Sequence, residues 1–192
     1  MGLVREGRAP SMAEAAERAL MSQATAYRYF STADELWEEA SMELAIAYEA
    51  GDDFSQTLNE QAGDDVAARL QLTIRRLGWR MLDEETPFRV MARNGLERWF
   101  EQRSVPESDR EPVRAGRRRD YNAEIVRPLR SEFSQAELTM LESALALVWG
   151  PEAVITLRDV CLLDVDGSKA TMETAARWIL QGALADHRQR PT

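Results

Sequence analysis

The stretch that most constrains this chain runs from Ser11 to Trp37. Ser11 lies three residues before Glu14, the spacing at which a serine caps a helix and the glutamate answers to the cap's own N–H. Ala13, Ala16, Ala19 and Leu20 then recur on one face at helical spacing. A turn falls at Leu20-Met21. Ser22 is a second N-cap, for a helix from Gln23 to Phe30. Thr32 with Glu35 repeats the capping-box spacing and opens a third helix that carries Leu36 and Trp37. Helix starts placed so close together leave room only for short helices and tight turns. Two short helices joined by a tight turn, the second bearing Gln, Thr, Tyr and Arg, describe a helix-turn-helix. In that motif the second helix enters the major groove of DNA.

The run from Ala16 to Phe30 (AERALMSQATAYRYF), followed by STADEL up to Leu36, resembles the signature of the TetR family of bacterial transcriptional regulators. That pattern is roughly A-x-x-A-G-V-S-x-x-T-x-Y-x-Y-F-x-x-K-x-x-L. The likeness spans Gly7 to about Ala40 and is carried by Ser22, Thr25, Tyr27, Tyr29, Phe30 and Leu36. The chain departs from it in three places. Leu20 occupies the position of the turn glycine, so the turn is made without a residue that tolerates positive φ cheaply. Ala33 occupies the position of a lysine that touches a phosphate, which removes one charge contact. The family's first helix begins well upstream of its second, whereas this chain offers only Met1 to Gly7 for it.

The resemblance implies an all-α protein with a helix-turn-helix DNA-binding domain over 1–40 and a helical ligand-sensing and dimerisation domain over 41–192. It implies that Ser22, Gln23, Thr25, Tyr27, Arg28 and Tyr29 face DNA, and Ser11 is counted with them as a candidate. The side chains suit the task. Glutamine pairs bidentately with adenine, and arginine with guanine or a phosphate. Thr25 and the tyrosine hydroxyls suit phosphate oxygens. An ordinary polar surface helix has the same composition, and Tyr29 fits the core of the small unit as well as the DNA. Phe30, Leu36 and Trp37 are expected in that core.

The chain is 192 residues long with a formal charge of −9, which at first argues against nucleic acid. The distribution softens this: up to residue 32, Arg5, Arg8, Arg18 and Arg28 outnumber Glu6, Glu14 and Glu17. An acidic body behind a mildly basic head is compatible with local DNA binding. Cys161 is the single cysteine, which excludes an intrachain disulfide and a cysteine-based zinc site. It is expected to be buried and inert. The apolar run Ala144–Trp149 is too short to span a membrane, and no secretory signal pattern opens the chain. A cytoplasmic protein is the expectation.

Beyond the motif the chain reads as helices throughout. A long helix is expected over Asp34–Ala50, with Ala40, Leu44, Ala47 and Tyr48 on one side. Residues 51–65 hold five acids and no base and read as a solvated connection. A continuous helix is expected from about Asp65 to Asp83, and the acids Asp83, Glu84 and Glu85 read as a solvated cap. Pro87 then opens the next helix, with Phe88, Met91, Leu96, Trp99 and Phe100 at helical spacing. Pro112 to Phe133 is a helix interrupted at Pro128. Ser134 with Glu137 is another capping box. Gly150-Pro151 allows a break, Asp164–Gly167 reads as a turn, and Ser168–His187 is the last helix.

The segments 134–163 and 168–187 carry a Leu, Val, Ala and Trp face that either packs within the chain or joins two copies. The resemblance favours a homodimer through these segments, reading a palindromic operator. By the same analogy the middle of the chain forms a small-molecule pocket, with Trp79, Met91, Trp99, Tyr121 and Ile125 as candidates and Met81 and Phe100 beside them. Aromatics and methionines at such spacing are equally the makings of core. Arg117-Arg118-Arg119 either holds an acidic ligand group or forms a solvated face. His187 reads as a helix C-terminal cation or a bland surface residue, not as a ligand or base. No metal, cofactor or catalytic set is expected. The function expected is a ligand-responsive transcriptional regulator, a repressor released by a small molecule. The alternative is a helical dimer that binds small molecules or proteins and has weak or lost DNA binding.

Overall fold

The computed structural model describes residues 11–33, 35–37, 39–40, 54–110 and 117–189. Every regular element among them is helical, so the fold class is all-α. The expectations for Met1–Gly7, for most of the helix Asp34–Ala50 and for the start at Pro112 lie outside the described residues.

The first two helices, α1 (Met12–Arg18) and α2 (Gln23–Tyr27), form a small unit, and helix resumes within 33–40. The body begins with α3 (Phe54–Ala62), where the sequence suggested a solvated connection. Two apolar residues four apart decide this: Leu58 is fully buried, and Phe54 meets Tyr121 edge-on with centroids 4.7 Å apart. In a segment this polar, two apolar residues do not by themselves mark a helical face. α3 closes at Gly63, whose φ of +53° suits a residue without a Cβ.

Asp65 caps α4 (Val66–Thr73), accepting from the N–H groups of Ala67 and Ala68. The expected single helix to Asp83 is interrupted by a π turn at Ile74–Gly78 before α5 (Trp79–Asp83). Gly78 is a contact point at this turn, since a Cβ there would lie 2.6 Å from the sulfur of Met172. Helix α6 (Glu85–Gln102) places Pro87 in its first turn, where no N–H is needed. The acids before it are not free. Asp83 pairs with Lys169 at 2.6 Å, and Glu85 joins Arg89 and Arg158, each at 2.7 Å. Arg89 also grips Asp159, which holds that carboxyl below its usual range.

Helix α7 (Arg117–Val126) ends in a 3-10 turn at Arg127–Ser131 that accommodates Pro128. The capping box of Ser134 and Glu137 opens α8 (Gln135–Val148). Gly150, with φ of +121°, turns the chain into α9 (Pro151–Ile155), followed by a second π turn at Thr156–Val160. A side chain at Gly150 would collide with Arg118, whose guanidinium donates to the carbonyls of Ala146 and Trp149 and pairs with Glu152. One of the three consecutive arginines is therefore a clamp on the α8–α9 corner. The last helix, α10 (Val165–Gln189), starts earlier than its apolar pattern suggested, because Asp164 accepts from the Gly167 N–H and converts the expected turn into a first helical turn.

One large core joins α4 to α10 through Leu70, Ile74, Phe88, Ile125, Leu145, Trp149, Met172 and Ala176. Charged and polar side chains are buried with it, among them Arg69, Thr73, Asn122 and Ser168. His187 is not bland: its ring stacks on Phe133 at 4.1 Å, and Nδ1 lies 3.1 Å from Glu137. Cys161 is exposed, contrary to expectation, because the chain leaves the core after Leu157.

Among the described residues no single helix is long and apolar enough to cross a membrane. The bent pair Gln135–Val148 and Pro151–Val160 has the length and composition, but Leu138, Leu141, Leu145, Ala153 and Val154 of that pair are buried in the core.

Candidate nucleic-acid interface

The small unit is assembled by local hydrogen bonds. Glu14 N–H donates to Ser11 Oγ at 3.3 Å, and the Ser11 N–H and hydroxyl both donate to the Glu14 carboxylate at 2.9 Å. At the other end of α1, the Leu20 N–H donates to the carbonyl of Glu17 and the Met21 N–H to that of Ala16. That pair of bonds is a Schellman closure, whose pivot takes the left-handed conformation. Leu20 is the pivot, with φ of +55°.

The turn is thus the one that a glycine normally makes, built at some strain on leucine. Leu20 is 95% exposed, so nothing compensates for that strain by packing. Leu20→Gly is expected to stabilise the protein by about 0.5–1 kcal/mol, the relief of a left-handed side chain less glycine's extra freedom when unfolded. Urea unfolding followed by circular dichroism checks this, and a loss of stability would contradict the strain argument.

Ser22 caps α2, accepting from the Thr25 N–H at 3.1 Å, while the two hydroxyls share a hydrogen bond of 2.8 Å. Both hydroxyls are therefore oriented before any partner arrives. Ala26 is buried against Met12 and Ala16, with Phe30 and Leu36 packed on them. This fixes which face of α2 turns outward. Ser22, Gln23, Tyr27, Arg28 and Tyr29 are exposed and Thr25 is half-buried. Gln23 and Tyr27, four residues apart, share a face. Ser11 is exposed but belongs to the cap of α1. Tyr29, at 71% exposure, is surface and not core.

The third helix start differs in detail from expectation. Thr32 Oγ1 does accept from the Glu35 N–H, but the Glu35 carboxylate reaches back to the N–H of Ser31. Trp37 also leaves the small core and packs with Val90 of α6. It joins the head to the body.

None of the five residues read as a ligand pocket lines the two grooves described below. Ile125 is completely buried, and Trp79, Met91 and Tyr121 pack against the same core. Trp99 is half-exposed near the end of α6, edge-on to Phe100. Two grooves lie elsewhere. One, of about 280 Å³, runs between α4 and α10. The other, of about 320 Å³, lies between α8 and α10 and includes Met140, Ala144, Trp178 and Gly182. Met140 is 74%, Leu147 78% and Trp178 65% exposed on these last long helices. Comparison with protein-family models, with curated proteins and with solved structures finds no match to this chain.

Proposed function

We propose that the protein is a homodimeric, sequence-specific DNA-binding transcriptional regulator, a repressor released by a small molecule. The observation that carries this reading is the outward row of α2. A pre-oriented Ser22–Thr25 pair, Gln23 and Tyr27 project from a helix whose opposite face is buried, and Arg28 and Tyr29 follow exposed in the turn that ends it. Glutamine and arginine there suit base edges, and the hydroxyls suit phosphates. The exposed Met140, Leu147 and Trp178 support pairing of two copies through α8 and α10. Two heads held about 34 Å apart read a palindrome. A ligand shifts DNA affinity only through its differential affinity for two arrangements of those heads.

A second reading has its own support. Between Ser11 and Ala40 the bases are Arg18 and Arg28, against Glu14, Glu17, Asp34, Glu35, Glu38 and Glu39. This acidic balance favours a helical dimer that binds small molecules or proteins and has weak or lost DNA affinity.

Fluorescence anisotropy with the intergenic DNA beside the gene, across a salt series, separates the two. A regulator is expected to bind saturably at two chains per site. Arg28→Ala is expected to weaken binding tenfold or more, the cost of about 1–3 kcal/mol for a bidentate base contact. It would instead reduce the salt slope by about 1 if Arg28 touches a phosphate. Binding that is absent at low salt, or indifferent to Arg28→Ala and Tyr27→Ala together, would leave the second reading.

A further inference from the structure

We propose that two copies of this chain meet along α10, each running antiparallel to the other, about a two-fold axis that passes between Gln181 and Gly182. This rests on the homodimer proposed above and adds which residues face one another. On α8, Ala136, Met140, Ser143 and Leu147 are exposed, at alternating steps of four and three residues. On α10, Thr171, Thr174, Trp178, Gln181 and Ala185 repeat that alternation on the side turned away from the buried Met172, Ala176 and Leu180. Such spacing is the seam along which one helix packs on another. Neither row holds a charged residue, in a chain of which 30% is charged. The outer face of a helix that meets only water carries its charges there.

The face of α10 holds both a knob and the hollow to seat it. Trp178 stands out from it, exposed. One turn on, a Cβ added at Gly182 would meet nothing within 4 Å in its own chain, and the next residue of the row is the small Ala185. A surface with knob and hollow side by side fits a second copy of itself turned end for end, which is the isologous contact of a two-fold dimer. About the proposed axis each residue faces the one equally far on the other side. Trp178 lies over the partner's Ala185, and Gln181 over the partner's Gly182.

The charges beside the seam select this register. Arg177 and Asp186 are both exposed. Along one helix they are about 14 Å apart, at 1.5 Å per residue, and do not meet. About the proposed axis Arg177 faces the partner's Asp186, and the symmetry makes the pair twice. Arg177 also acts on Glu173 in its own chain, but Arg75 and Gln71 are the groups bonded to that carboxylate. Moving the axis one turn toward Trp178 stacks the two indoles and sets the two Arg177 side by side. Moving it one turn the other way sets the two Asp186 side by side. Like charges brought together oppose association, so the complementary register is favoured over both.

Sedimentation equilibrium of the full chain at low salt, where charges are least screened, tests the register, with circular dichroism as the check on folding. The wild type is expected to be a dimer. Gly182→Leu adds a side chain for which its own chain has room, and leucine is the better helix former. It is expected to stay folded and yet raise the dimer Kd about tenfold or more, since only a second copy meets the added atoms. Arg177→Asp and Asp186→Arg each set like charges face to face twice, and each is expected to raise the Kd about tenfold or more. The double variant is expected to return within about threefold of the wild type, a rescue that only contact between copies supplies. A dimer that Gly182→Leu or the single swaps leave unchanged, or that the double variant fails to restore, overturns this register and leaves the homodimer reading standing. A wild-type monomer overturns both.

Discussion

Arg69→Ala is expected to lower the stability of the fold by about 3–5 kcal/mol, the range found when one partner of a buried charged network is removed. Arg69 is completely buried. Burial pushes its pKa down, nearby Arg127 pushes the same way, and Glu124 opposes them. What holds the charge is a full set of acceptors. Nε and Nη2 both donate to the carbonyl of Glu124, at 3.0 and 2.8 Å, and Nη1 donates to Asn59 and to the carbonyl of Gly63, at 3.0 and 2.7 Å. The Glu124 carboxylate lies 3.6 Å away and also accepts from Ser55. One side chain on α4 therefore ties α3, its closing turn and α7 together.

Removing Arg69 leaves two carbonyls and an amide oxygen without that partner in a site that water reaches poorly. Arg69→Lys is expected to recover less than half the loss, because a single ammonium lacks the planar fork that serves these acceptors at once. Urea unfolding followed by circular dichroism checks both variants. A loss below about 1 kcal/mol, the worth of one ordinary hydrogen bond, would show that the network is dispensable.

Trp149→Ala is the second large effect, also about 3–5 kcal/mol, with a fall in Tm of roughly 6–20 °C for a chain of this size. Trp149 is among the largest fully buried side chains, seated where α8 ends. Its ring lies 6.3 Å from Tyr121, and Nε1 donates to Asn122 at 3.0 Å. Asn122 in turn donates to the carbonyl of Glu142. The substitution opens a cavity and also strips the amide oxygen of its donor. Trp149→Phe separates the two parts: it keeps most of the volume and is expected to cost about 1–3 kcal/mol, chiefly for the unpaired oxygen of Asn122. Equal losses from the two variants would assign the whole effect to that hydrogen bond.

The parts of the fold legible in the sequence were those set by neighbours three or four residues apart. The capping boxes at Ser11 and Ser134 formed with both of their bonds, the break at Gly150-Pro151 appeared, and Pro128 ended its helix in a tighter turn. The outward face of α2 was given by the resemblance alone, and the packing of Ala26 on Met12 and Ala16 is what the structure adds. α3 was missed because Phe54 and Leu58 gain their meaning only from Tyr121 and the core across from them. Both π turns were invisible, since one extra residue in a turn leaves the local composition unchanged.

The sequence by itself determined an all-helical chain, most of its helix starts, and a short helix presenting Gln23, Tyr27 and Arg28. These are local matters of capping, periodicity and turn chemistry. Only the tertiary structure decided what charged and aromatic residues far from the motif do. Arg69, Arg118 and Asn122 became parts of the core scaffold, His187 stacked on Phe133, and Trp37 left its own unit for Val90. It also paired Arg75 with Glu173. Such partners are distant in the chain, and a charged side chain carries no local mark of whether it will meet water, a carbonyl or a ligand.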